Sequence, residues 1–145
     1  MRLVIQRVAR SEVRVAGAVV ADGGPGLLIL VGIGVDDRED APAKLARKVW
    51  HLRIFEDEDG KMNRSIEDVG GDIVVVSQFT LYGDTSAGRR PSWIRAAPPE
   101  VAEPAVERFA GELASLGASV RTGSFGAHME VELVNDGPVT LILEA

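Results

Sequence analysis

Asp72-Ile73-Val74-Val75-Val76-Ser77-Gln78-Phe79-Thr80-Leu81 governs the architecture of this chain. Ile73 to Val76 form an unbroken apolar run, with no polar residue on alternate positions. Such a run reads as a buried strand. Carried through residues 72–80, the strand places Ser77 and Phe79 on one face and Gln78 and Thr80 on the other. Its end is therefore expected to be a rim of hydroxyl and amide side chains above a buried core.

Leu27 to Val35, after the turn Asp22-Gly23-Gly24-Pro25-Gly26, reads as a second buried strand. Residues 2–9 and 12–20 are expected strands as well, Val13 and Val15 alternating with Glu12 and Arg14. Asp40 is placed to cap a helix over about residues 41–53, with Pro42 in its first turn and Leu45, Val49 and Leu52 on one face. Pro98, Pro99 and Pro104 hold a second helix back to about residues 101–104. Its stripe is Val101, Ala105, Phe109, Leu113 and Leu116, and Gly117 stops it. Strands over 118–122, 126–134 and 139–144 complete the chain. With no repeat or linker, residues 1–145 are expected to form one compact α+β domain. A mostly antiparallel or mixed, barrel-like sheet carries two main helices on one side.

Composition limits the chemistry. A chain of 145 residues, 46% hydrophobic and 26% charged, buries about two-thirds of its unfolded surface. The absence of cysteine excludes disulfides, thiolate catalysis and thiolate metal sites. Met1-Arg2-Leu3-Val4-Ile5-Gln6-Arg7 meets polar residues too early for a secretory leader, and Gly26 to Val35 is far short of a membrane span. No membrane association is expected, and a cytoplasmic location is the default. The net charge of −6 opposes broad binding to nucleic acid, though not a small contact with one end of it. Gly88-Arg89-Arg90-Pro91-Ser92-Trp93-Ile94-Arg95 is locally basic, and either a solvated loop or a phosphate-contacting loop accounts for it.

The familiar catalytic arrangements fail one by one. Gly123-Ser124-Phe125-Gly126 and Thr85-Ser86-Ala87-Gly88 both miss the spacing of a nucleophile elbow. Of the two histidines, His51 lies in the first helix. His128 alternates with apolar neighbours and shares a polar face with Glu130 and Glu132. Glu56-Asp57-Glu58-Asp59-Gly60 lacks the final glutamate of a calcium loop, because Ile66 stands there, and reads as a solvated acidic turn. No phosphate-cradling glycine loop is present. No metal and no cofactor is expected.

Asn135-Asp136-Gly137-Pro138-Val139-Thr140 is the second unusual segment. Asp136-Gly137 suits a hairpin turn, yet Pro138 then enters strand-like sequence, where it removes a ladder hydrogen bond and belongs at an edge or bulge. A plain turn and a functional loop both remain open on these residues alone.

Several stretches together resemble the D-aminoacyl-tRNA deacylase, or D-tyrosyl-tRNA deacylase, family over essentially the whole chain. They are Gln6-Arg7-Val8, Phe55 through Asn63, Ser77 to Leu81, Gly88 to Trp93, and Asn135 to Thr140. The resemblance implies a homodimer that hydrolyses the ester between a D-amino acid and the 3′ end of tRNA, and that also removes mischarged glycine. It implies a cis Gly137-Pro138 bond reaching into the partner's active site. Ser77, Gln78, Phe79 and Thr80 would line the pocket as catalytic residues. Phe125 and Met129 would lie near the substrate, and Arg7 would brace the Gly-Pro loop. Main-chain carbonyls holding the substrate ammonium leave room for the side chain of a D-amino acid, whereas an L-side chain would collide with them. Glycine, lacking Cβ, passes. The reactive aminoacyl ester then needs positioning and oxyanion stabilisation, with amides near Phe79 and Thr80 and the substrate 2′-hydroxyl assisting. Thr80 as covalent nucleophile is the competing mechanism. A small-molecule esterase and a non-catalytic dimeric binding module are the competing functions.

Overall fold

The two apolar runs pair with each other in the middle of the sheet. The computed structural model describes residues 1–145. Strands β1 (Arg2–Val15), β2 (Ala18–Gly23) and β3 (Gly26–Gly32) are followed by helix α1 (Ala41–Trp50) and the small hairpin β4 (Phe55–Glu56) and β5 (Met62–Arg64). Helix α2 (Ile66–Val69), strand β6 (Asp72–Ser77), a 3-10 turn (Phe79–Tyr82), helix α3 (Pro99–Ser115) and strands β7 (Ser119–Thr122) and β8 (Met129–Glu144) complete the chain. The main sheet has the order β2-β1-β3-β6-β7, with β8 also on β1. Pairing is antiparallel around β1 and parallel for β3–β6 and β6–β7, so the sheet is mixed and nearly closes into a barrel.

Burial explains the unbroken runs. Ile29, Ile73 and Val75 face the helices, where they meet Leu45 and Val49 of α1 and Phe109 and Leu113 of α3. Leu28, Val74 and Val76 face the other way, into a second cluster with Val8, Val13 and Ala21 inside the curl of the sheet. Both faces of β3 and β6 are dry, which is why neither strand alternates.

Several boundaries differ from those expected. Residues 2–9 and 12–15 belong to one strand. The break falls at Ala16-Gly17, both at positive φ (49° and 80°), in a two-residue hairpin turn that Ala rarely occupies. The buried run after Gly26 leaves the strand at Gly32 rather than Val35. Helix α1 ends at Trp50, not 53, and Asp40 sits before it without a side-chain cap, because its carboxylate is held by Arg38. Helix α3 starts at Pro99, and Pro104 lies inside it on the exposed side, where water can satisfy the freed carbonyl. Val101 is exposed, and the buried stripe is Ala102, Val106, Phe109, Ala110 and Leu113. Gly117 ends the helix as expected, at φ 106°, with Ala118 N–H on the Leu113 carbonyl and Gly117 N–H on that of Ala114.

The C-terminal segment departs furthest from expectation. Residues 129–144 form one strand along the whole of β1, not two strands around a hairpin. Between the pairs Val8–Asn135 and Gln6–Thr140 lies a single β1 residue, Arg7, opposite residues 136–139. Those four residues form a bulge in an otherwise continuous ladder, with residues 136–138 exposed and Val139 packed into the core.

Candidate active site

β6 delivers the first site residues and then stops. Gln78 donates its N–H to the Val31 carbonyl at 2.7 Å, continuing the ladder to β3. The backbone turns away at that residue, and Leu81 N–H closes the 3-10 turn on the Gln78 carbonyl at 3.2 Å. The expected strand through residue 80 is thus overturned beyond Ser77, and with it the alternation of faces at 77–80. The turn places Gln78 Nε2 against Thr80 Oγ1, to which it donates a hydrogen bond. It also leaves Phe79 and Thr80 exposed at the tip.

Beside this turn lies a cavity of about 550 Å³. Val31, Ile33 and Val76 line its inner part, and Ala102 and Val106 of α3 form one wall. Phe125, Gly126, Ala127, His128, Met129 and Val131 form the opposite wall. Ser77, Gln78, Phe79 and Trp93 border it too. Phe79 and Trp93 meet edge to face, with centroids 5.2 Å apart and an interplanar angle of 72°. His128 is exposed and precedes β8, so it borders the cavity rather than belonging to a polar strand face with Glu130 and Glu132. It is the only ionisable side chain along these walls. The wall therefore offers no acid–base pair.

Five of the expected site residues, Ser77, Gln78, Phe79, Phe125 and Met129, thus share one cavity, with Thr80 joined to it through Gln78. Gly137, Pro138 and Arg7 do not line it. They lie at the β8 bulge, where Gly137-Pro138 is a cis peptide and Gly137 has φ 122°. The bulge is held from two sides. Asn135 Nδ2 donates to the carbonyls of Arg7 and Val139, at 3.0 Å each, and Thr140 Oγ1 donates to Asn135 Oδ1 at 3.2 Å. The buried guanidinium of Arg7 donates from Nε to the Asp136 carbonyl at 3.2 Å and from Nη1 to the Ile54 carbonyl at 2.7 Å. Asp136, Gly137 and Pro138 themselves point into solvent.

The acidic turn after β4 closes on itself. Asp57 accepts from the N–H groups of Asp59 and Lys61 and from Asn63 Nδ2, and these bonds, led by Asn63, keep its carboxyl below the usual carboxylate range. His51 is exposed and paired with Glu67.

The family model for D-Tyr-tRNA(Tyr) deacylase matches residues 4–144. The chain belongs to that family. Proteins named D-aminoacyl-tRNA deacylase are closely similar. One from Roseiflexus sp. (strain RS-1) is 59% identical over 145 residues, covering 100% of this chain and 94% of the relative. One from Heliobacterium modesticaldum is 58% identical over 144 residues, covering 99% and 96%. Among solved structures, the c-Myc DNA unwinding element binding protein superimposes with a TM-score of 0.94 at 38% identity, covering 100% of this chain and 99% of that one. A probable eukaryotic D-amino acid tRNA deacylase superimposes with a TM-score of 0.85 over 98% of this chain and 97% of its own. At 17% identity that likeness is one of fold.

Members of this deacylase family are hydrolases acting on aminoacyl-tRNA, and the chain is an enzyme of that class. No helix in it is long and apolar enough to cross a membrane. Sequence reasoning passed over Asn135 and Thr140, whose side chains staple the bulge, although both stand inside the quoted motif. It also passed over Arg2, which donates from Nη1 to the Leu81 carbonyl at 2.6 Å and so holds the turn of Phe79 and Thr80 from behind. Nothing in Arg2-Leu3-Val4 signals that reach across the fold.

Proposed function

We propose that the protein hydrolyses the ester joining a D-amino acid, or mischarged glycine, to the terminal adenosine of tRNA, and rejects L-aminoacyl esters. It acts as a homodimer in which Gly137-Pro138 of one protomer enters the cavity of the other. The observation carrying this reading is the separation of the two motifs. Ser77-Gln78-Phe79 border a cavity with no acid–base pair, while the braced Gly137-Pro138 bulge of the same chain points away into solvent. A second copy joins what a single chain keeps apart. The outer edge of β8 is unpaired, and Val131, Val134 and Ile142 along it are exposed, a surface that a second copy would cover.

In this reading Phe125 and Met129 contact the terminal nucleoside, and the partner bulge presents main-chain carbonyls to the substrate ammonium. An L-side chain then points at those oxygens, whereas a D-side chain points to open solvent. Phe79 and Thr80 open a 3-10 turn, where N–H groups lack intrahelical partners, so both are available to an oxyanion. Each such donor is worth about 3 kcal/mol when preorganised. Water attacks the ester carbonyl, assisted by the neighbouring ribose hydroxyl, and the ester C–O bond breaks. The proton from water passes to the departing ribose oxygen, giving free amino acid and tRNA. Thr80 is a positioning group for Gln78 and the turn, not a nucleophile. A protein of the cytoplasm, where aminoacyl-tRNA is used, fits this role.

The test is hydrolysis of D-tyrosyl-tRNA and L-tyrosyl-tRNA side by side, with the oligomeric state measured at the same concentration. Rapid release from the D-ester alone, by a dimer, is expected. Equal rates on both esters, or none on either, would remove the chiral reading.

A further inference from the structure

The loop from Asp84 to Arg95 holds three of the four arginines whose side chains the fold does not engage. Elsewhere the guanidinium groups are engaged: Arg2 with Glu144, Arg7 with Asp136, Arg10 and Arg14 with Glu132, Arg38 with Asp40, Arg121 with Asp72. Arg53 bonds to Asn63, Arg64 to the Asp68 carbonyl and Arg108 to the Glu39 carbonyl. Arg47, Arg89, Arg90 and Arg95 alone make no side-chain hydrogen bond or ion pair, and three of these four fall within seven consecutive positions. In a chain of net charge −6, an exposed cationic pair without a counter-ion is a local exception to the overall field.

The loop is tied down at its base. Asp84 and Ser92 exchange both backbone hydrogen bonds, at 2.9 and 2.8 Å, and Ser86 N–H caps the Asp84 carboxylate at 2.9 Å. Asp84 is the one acidic residue of the loop. Its carboxyl is held below the ordinary range by the Ser86 N–H first and by the Arg95 charge last, so Arg95 is partly engaged and Arg89 and Arg90 are not. Beyond Ser92 the chain passes directly to Trp93, which borders the cavity and meets Phe79 edge to face. Trp93 also lies so close to Gly83 that a Cβ there would come within 2.7 Å of its ring. Arg90 is three residues from Trp93, at most about 11 Å of extended chain.

Resting on the proposed deacylase reading, we infer that Arg89 and Arg90 form a phosphate subsite for the single-stranded RNA leading into the cavity. It takes the backbone immediately upstream of the terminal nucleotide. Guanidinium groups with free donors suit phosphate oxygens in a bidentate fit. The exposed Phe79–Trp93 pair, whose Trp93 follows Arg90 by three residues, offers aromatic faces of the sort on which single-stranded bases stack. The subsite lets an acidic protein hold an RNA end without a basic face.

The test combines the Arg89→Gln/Arg90→Gln double variant with its Lys/Lys counterpart. Fluorescence anisotropy with a non-aminoacylated RNA oligonucleotide carrying the tRNA 3′ sequence reads the subsite without any reaction. The Gln pair is expected to weaken binding at least tenfold at low salt. It should also flatten the log–log salt slope by about 1.4, two single-strand phosphate contacts at about 0.7 each. The Lys pair keeps the slope. Hydrolysis then compares D-aminoacyl-tRNA with 3′-O-D-aminoacyl-adenosine, which has no upstream phosphate. The loss of kcat/KM on the tRNA ester should exceed that on the adenosine ester at least tenfold. Unchanged RNA binding and slope in the Gln pair, or equal losses on both esters, would overturn the subsite. Salt-dependent RNA binding by a wild-type protein inactive on both D-esters would keep the subsite and overturn the deacylase reading.

Discussion

Arg7 Nε meets Asp136 twice, 3.2 Å from its carbonyl oxygen and 3.2 Å from its carboxylate. The cation is buried while Asp136 is exposed, so Arg7 fixes a solvent-facing bulge from inside the sheet. Replacing Arg7 with Gln removes a charged donor and leaves the Ile54 carbonyl without its 2.7 Å partner. Losing a buried charge-assisted bond costs about 2–3 kcal/mol, which for a chain of this length lowers Tm by about 5–10 °C. Calorimetry checks the stability, and single-turnover hydrolysis checks the function. The rate should fall further than Tm alone accounts for, because the misplaced element is Gly137-Pro138. A variant with normal Tm and normal D-ester turnover would detach Arg7 from the bulge.

Gly137 tests the same element from outside. Its φ of 122° suits glycine, and a Cβ there would lie 2.9 Å from Val139 Cγ2 and 3.0 Å from Arg7 Nη2. Gly137→Ala must therefore shift the bulge or displace the Arg7 guanidinium. Since residue 137 is exposed and the rest of the ladder is intact, Tm should drop by only a few degrees. D-ester turnover should fall tenfold or more, and the ratio of D- to L-ester rates should shrink. An unaltered ratio in the folded variant would contradict discrimination by this loop.

Legibility in the sequence followed burial. The runs at 27–32 and 73–76 announced buried strands because no polar residue interrupts them, and the helical spacing of Phe109 and Leu113 announced a buried face of α3. Phe79 and Thr80 are residues that strands favour, so nothing in them warned that one Leu81–Gln78 hydrogen bond would wind the segment into a turn. Ala16-Gly17 hid a hairpin because Ala seldom accepts positive φ. Asp136-Gly137 suggested a hairpin that does not exist, since the Asn135 side chain takes over the backbone groups that would otherwise end the strand. Ser77, Gln78, Phe79, Phe125 and Met129 do converge on one cavity. The alanines and Trp93 that also enclose it carry no such signal, because their role depends on where α3 and the loop before it come to rest.

Thr80 decides between the two mechanisms. Its hydroxyl accepts from Gln78 Nε2, and no carboxylate or imidazole touches either group. Thr80→Val removes the oxygen while keeping the branched shape, so a positioning role predicts a loss in kcat of tenfold or less. A covalent role predicts a loss of several orders of magnitude. Quenched-flow measurement on D-tyrosyl-tRNA distinguishes them, and the larger loss, with an acyl-enzyme trapped on the wild type, would overturn backbone-driven catalysis.

Tyr82 reports on the support behind the same turn. It is the only tyrosine in the chain, so its ionisation can be followed directly in the ultraviolet. Burial, then the Asp37 charge, then the hydrogen bond from its hydroxyl to Asp37 Oδ1 at 3.3 Å raise its pKa to about 12. Arg2, stacked 5.2 Å from the ring centroid, pulls weakly in the opposite direction. The neutral phenol is thus the form the fold prefers. Its contribution to stability is complete below the unfolded value of about 10 and is lost as pH rises from there through 12. A single tyrosinate transition near pH 12, with far-UV circular dichroism still native, is expected. In Asp37→Asn the midpoint should move towards 10. Because Arg2 also holds the Leu81 carbonyl, Arg2→Met should push the midpoint up slightly while lowering D-ester kcat through a loosened turn. A native-state midpoint near 10 in the wild type would mean that Tyr82 is solvated and that Asp37 does not brace the turn.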